Sequence, residues 1–181
     1  GNYTDRVYCL RGTDIPTAAH GKLGNIPIRY ILSKNLKNRK IDSSDIVIEI
    51  SGGSPTQSTG RNVYLSSHYL ESLKQPLICS NFCRTVKSQK GFSEYLQSIF
   101  NYLYHTGMLF KHENSSNGVK NLALEDVLDE EFFVKPSSDV LNKFKDIYLK
   151  LNKYITVLGL ELENYDKLAK ILLSKIALTK E

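Results

Sequence analysis

No stretch of this 181-residue chain approaches the ~18 consecutive apolar residues that a membrane-crossing helix requires. Gly1 to Thr4 lead into no apolar signal-peptide core, so the sequence reads as cytoplasmic, with no membrane partner. Cysteine is scarce: Cys9, Cys79 and Cys83 are odd in number, and no pair has the C-x-x-C spacing of zinc or redox sites. Buried free thiols are the expectation. His20, His68, His105 and His112 form neither H-x-x-x-H nor H-E-x-x-H, so neither a metal site nor a cofactor is expected.

Catalytic signatures are missing as well. A phosphate-cradling NTPase loop needs G-x-x-x-x-G-K-[ST], whereas here six residues separate Gly53 from Gly60 and the next residue is Arg61. A metal-dependent nuclease would want an E-x-K strand, but Ser51 stands two positions after Glu49. Neither a glycine-rich cofactor motif nor an [N/D]-P-P-[Y/F/W] motif of a methyltransferase occurs. No catalytic residue is expected, and the chain reads as a non-enzyme.

What is present describes a globular protein: 41% hydrophobic and 24% charged residues can build a core, and the length allows one ordinary domain plus an extension. The net charge of +5 is unevenly spread. Residues 1 to 120 hold 15 Lys and Arg against 8 Asp and Glu, a balance of +7, whereas residues 121 to 181 hold 9 against 11, or −2. A basic head is compatible with a polyanionic partner.

Short apolar or alternating runs at 6–10, 26–32, 45–50, 62–65, 76–79 and 82–86, separated by Gly, Pro, Ser and Asn, predict a β-rich first half. Phe92, Tyr95, Leu96, Ile99, Phe100, Leu103 and Tyr104 then recur at helical spacing, on a helix that Gly107 can end. His112 to Lys120 reads as a polar loop, with Asn121 capping a short helix over 122–128 and a last strand at 131–134. After Pro136, Ser137 to Asp139 can cap a long helix.

That helix carries an unbroken heptad seam. Leu141, Tyr148, Ile155, Leu162, Ala169 and Ile176 occupy one position, and Phe144, Leu151, Leu158, Tyr165 and Leu172 the other. The seam spans 36 residues, about 54 Å at ~1.5 Å per residue. Gly159 is its one blemish, off the seam and costing roughly 1 kcal/mol relative to Ala. The sequence therefore predicts an α+β protein: a head over 1–135 with a mixed β-sheet and short helices, then a coiled-coil helix over 136–181.

The segment DIVIEISGGSPTQSTGR, Asp45 to Arg61, runs a strand into a loop without large hydrophobic side chains. Glycines allow close backbone approach to a ligand, Ser, Thr and Gln57 can bond phosphate or base edges, and Arg61 can act as a bidentate fork. A solvated hairpin loop accounts for the same features. With RGTDIP at Arg11 to Pro16 before it, GVKNLALEDVL at Gly118 to Leu128 after it and the heptad helix last, the chain resembles the specificity subunits of type I restriction-modification enzymes. The likeness covers nearly the whole chain. It departs in lacking the Pro-Pro pair and Gln common before the spacer helix, and in carrying one head-plus-helix unit where members usually carry two.

The resemblance implies a target-recognition domain that reads one half of a split site in double-stranded DNA, while methyltransferase (modification) subunits and a restriction/translocase subunit do the chemistry. The expected DNA contacts are Ser51, Gly52, Gly53, Ser54, Thr56, Gln57, Ser58, Thr59 and Arg61. To these are added Lys34, Lys37, Arg39 and Lys40, and then Asn114, Ser115, Ser116, Asn117, Lys120 and Asn121. The helix would pair with that of a second unit, in the same chain or in a homodimer. Two alternatives stay open: the recognition module of another DNA modification system, and a coiled-coil protein-binding module without nucleic acid.

Overall fold

A computed structural model describes residues 3–52, 56–89, 91–116, 119–130 and 135–178, with only the main chain at 116 and 178. The fold is organised around the run Ile46-Val47-Ile48-Glu49, which is buried on both faces and therefore shows no polar alternation. This strand, β3 (Ile46–Glu49), follows β1 (Asp5–Leu10), the short helix α1 (Ile15–Ala19), β2 (Ile28–Ile31) and α2 (Ser33–Arg39). After it come β4 (Ser51–Gly52), β5 (Asn62–Tyr64), α3 (Ser67–Ser72), β6 (Leu77–Cys79), β7 (Cys83–Val86) and α4 (Ser93–His105). The order ends with β8 (Glu113–Ser116), β9 (Val119–Leu122), α5 (Leu124–Asp129) and α6 (Ser138–Leu178).

The strands form three small sheets in place of the single expected sheet. The orders are β2-β1-β6, in which β1 and β6 are parallel, then β5-β3-β7 and β4-β9-β8, both antiparallel. Period-two alternation sends β3 side chains to opposite cores. Val47 joins Leu10, Ile15, Leu65 and Leu77 under the first sheet, while Ile46 and Ile48 meet Phe100, Leu103 and Leu109 under α4. The apolar stripe expected on α4 is this second interface, and Gly107, at φ 74°, ends the helix as the sequence predicts.

Local expectations fail where composition was the guide. The polar stretch 112–120 is not an open loop: Glu113 to Ser116 and Val119 to Leu122 pair as a hairpin. Asn121 does not cap α5, because it lies in β9 opposite Ser51, and α5 starts three residues later, at Leu124, behind Ala123. Helices α1, α2 and α3 are too short to leave a periodic signal. The strand expected at 131–134 falls outside the described residues. Cys79 and Cys83 are buried free thiols, and burial pushes the Cys83 thiol up to about 12.

Helix α6 is 41 residues long, about 61 Å at ~1.5 Å per residue. Its first three turns reach the head: Phe144 meets Tyr95 edge-on at 6.0 Å and Tyr148 meets Tyr64 at 5.3 Å. Further on, Thr156 and Gly159 are buried against the head, and beyond Glu163 every described side chain up to Ala177 is exposed. The helix is thus clamped for more than half its length and free for the rest. Among the described residues, no helix is long and apolar enough to cross a membrane.

Candidate nucleic-acid interface

The glycine-serine segment and the polar hairpin, distant in sequence, are built into one sheet. Strand β4 leaves β3 after Glu49 and pairs with β9, setting Ser51 against Asn121 and Gly52 against Lys120. The Ser51 hydroxyl donates to Asn121 Oδ1 at 2.6 Å. Leu122 N–H donates to Ile50 O at 2.8 Å, extending the junction. Two of the three expected contact segments therefore share a surface.

The third adjoins it through the turn between β6 and β7. Arg39, at the end of α2, donates to Cys79 O at 3.0 Å and to Asn81 Oδ1 at 3.1 Å. Phe82, the next residue, accepts at its carbonyl from the Ile50 and Ser51 N–H groups, at 2.9 and 3.1 Å. Its ring is 60% exposed, an apolar projection beside β4 that nothing in the sequence singled out. Lys34, Lys37 and Lys40 line α2 and are exposed, with Lys40 Nζ 4.0 Å from Asp42.

Arg61 does not stand free as a fork for phosphate or guanine. Its guanidinium already holds a carboxylate in bidentate fashion, with Nε 2.9 Å from Glu49 Oε2 and Nη2 2.6 Å from Oε1. Glu49 is buried and Arg61 half-buried, the side chains being 3% and 17% exposed. Hydrogen bonding to Glu49 raises the Arg61 pKa further, so the guanidinium stays charged. Gly52 is needed here: it sits at φ 145°, and a methyl on it would lie 2.7 Å from Glu49 Oε1. An acidic residue ending an otherwise apolar buried strand requires a cation, and that signal was present in the sequence.

Glu113 performs a similar service for the loop 56–60. Its Oε1 accepts from Ser58 Oγ at 2.7 Å, Thr59 N at 2.6 Å and Thr59 Oγ1 at 2.8 Å, while Oε2 is 3.0 Å from Lys120 Nζ. Burial pushes this carboxyl up, but the bonds from Ser58, Thr59 and Lys120 outweigh it and hold the pKa below the usual value. Lys120 also lies 4.7 Å over the Phe110 ring. Ser58, Thr59 and Lys120 are therefore braces of the platform rather than outward contacts, because buried polar groups take internal partners.

Thr56, Gln57, Asn114 and Ser115 remain exposed on the platform, and Ser51 and Gly52 are half-buried. Gly53, Ser54 and Asn117 lie outside the described residues, and the side chain of Ser116 does too. No cluster of metal-ligating side chains occurs among the described residues.

The expected helix seam divides. Leu141, Phe144 and Tyr148 are half-buried, Phe144 and Tyr148 being in ring contact with Tyr95 and Tyr64 of the head. Aromatic residues at heptad spacing can pack on α4 and β5 as well as on another helix. Leu151, Ile155, Leu158, Leu162, Tyr165, Ala169, Leu172 and Ile176 are exposed, flanked by exposed Ile147, Tyr154 and Leu168. Neither a family model nor a curated protein sequence matches this chain.

Proposed function

We propose that this chain is a non-catalytic DNA-recognition unit of the type I specificity-subunit kind, whose head reads one half of a bipartite site and whose helix pairs with a second such helix. One observation supports the reading best. Strand β4 and β9, bonded side chain to side chain across 70 residues of sequence, form a polar platform continuous with the basic helix α2. On it, Asn114 and Gln57 offer amides, that of Gln57 also donating to Tyr104 OH at 3.4 Å, and Ser115 offers a hydroxyl, the groups that recognise base edges in a major groove. Lys34, Lys37 and Lys40 supply charge for phosphates, and Arg61 and Glu113 keep the platform rigid from behind.

The exposed stripe from Leu151 to Ile176 is the surface for coiled-coil pairing with a second unit, in the same chain or a second copy. Methyltransferase and restriction/translocase subunits then act where the paired heads bind. The test is duplex-DNA binding at graded salt, combined with selection from a random duplex library. Neutralising ~6 phosphates gives a log-log slope of about −5, and selection returns a short conserved half-site. Absence of both would leave the second reading, a protein-binding module, which the exposed apolar stripe favours independently of DNA.

A further inference from the structure

Gly159, a blemish in the heptad pattern, is where α6 touches the head most closely. A methyl on Gly159 would fall within 2.5 Å of the Gly21 carbonyl carbon, and one on Gly21 within 2.6 Å of the Thr156 Cα. Backbone therefore meets backbone, with no side chain between them to re-pack. Gly21 sits at φ 73° in the turn that ends α1.

One helical turn beyond, Glu163 reaches the same turn. Its Oε2 accepts from Leu23 N at 2.7 Å and from Gly24 N at 3.2 Å, and its Oε1 pairs with Lys167 Nζ at 2.9 Å. Lys22 adds a longer pair to Asp166 at 3.5 Å. The turn is held from its other side, since Tyr69 OH donates to Lys22 O at 3.2 Å.

We propose that Gly21, Gly159 and Glu163 are positioning residues that fix the angle at which the head is mounted around α6. At 3.6 residues per turn, each residue advances ~100° around the helix. Thr156, Gly159 and Glu163 then centre on one line, and Leu151, Leu158, Leu162 and Tyr165 on another about 120° away. At this level the head flanks the stripe, Pro16 and His20 sharing a groove with Leu158 and Leu162, which stay 56% and 54% exposed. Resting on the function proposed above, the clamp determines how far apart and at what rotation two paired heads meet their half-sites.

The test uses Gly159→Ala and Glu163→Gln in the full chain. Gly159→Ala improves the helix but drives a methyl into the Gly21 backbone, and Glu163→Gln keeps the side-chain size while removing the charge. Spin labels at Arg84→Cys and Lys170→Cys, in a Cys9→Ser background, report the head-to-arm distance distribution. Both variants broaden or displace that distribution, and circular dichroism confirms that they fold. In a library of paired half-sites with varied spacers, Gly159→Ala shifts the preferred spacer by about one base pair, ~3.4 Å, without changing the half-site sequence.

An unchanged distance distribution in both variants overturns the clamp, whatever DNA does. A displaced distribution with unchanged spacer preference overturns its role in spacing. If the parent binds no DNA, the functional reading above fails, and the distances alone then decide whether the clamp sets the mounting angle.

Discussion

Replacing Arg61 by Ala separates a brace from a base contact. The substitution removes both hydrogen bonds to Glu49, whose side chain is 3% exposed, and leaves a carboxylate buried without its cation. Breaking such a pair from one side costs ~3–5 kcal/mol. Arg61 retains 17% exposure, through which water can partly replace it, so the lower end, about 3 kcal/mol, applies. With an m-value of about 2 kcal/mol/M, the urea midpoint falls by roughly 1.5 M.

The double variant Glu49→Met with Arg61→Met recovers most of that loss, because an apolar pair of similar volume leaves no charge unpaired. DNA binding by Arg61→Ala weakens to a similar degree on every sequence, since the platform loosens as a whole. A destabilisation below about 1 kcal/mol, or a loss confined to one base position with unfolding unchanged, would refute the argument and return Arg61 to the role of a base-reading fork.

Acid should loosen the platform through Glu113. Its pKa is lowered from the ordinary 4.5, so its stabilisation is complete above about that value and is lost as pH falls through the lower folded-state value. Hydrogen exchange at the Thr59 amide, which donates to this carboxylate, accelerates across that window, and Glu113→Gln abolishes the dependence. Leu158→Asp places a charge in the pairing stripe at a position 56% exposed in one chain. On the pairing proposed above, light scattering shows the variant as monomer where the parent is a dimer, circular dichroism shows the fold retained, and persistence of the dimer argues for a different pairing face. Lys37→Ala lowers the salt slope of DNA binding by about 1 on all sequences alike. A loss restricted to one sequence would mean that Lys37 reads bases.

Patterns that repeat over a few residues could be read directly. The apolar run of β3, the stripe of α4 and the sevens of α6 each announce their element, because the period of side-chain burial is a property of backbone geometry. Gln57 and Asn114, singled out for the chemistry of their amides, are both exposed. The hairpin β8–β9 could not be read directly, since its strands are polar and carry no apolar alternation.

Charge partners lay beyond the reach of sequence. Arg61 was chosen for what a guanidinium can bind, but which carboxylate it binds depends on β3 and β5 running side by side. Gly159 carried the opposite lesson: a residue that weakens an isolated helix strengthens its seat when another backbone must pass close by. Local preference determined which segments are helix and strand and where the long apolar seam runs. Tertiary structure decided which side chains face inward to hold the platform and which half of the seam remains uncovered, because burial and ion pairing depend on neighbours brought together only by folding.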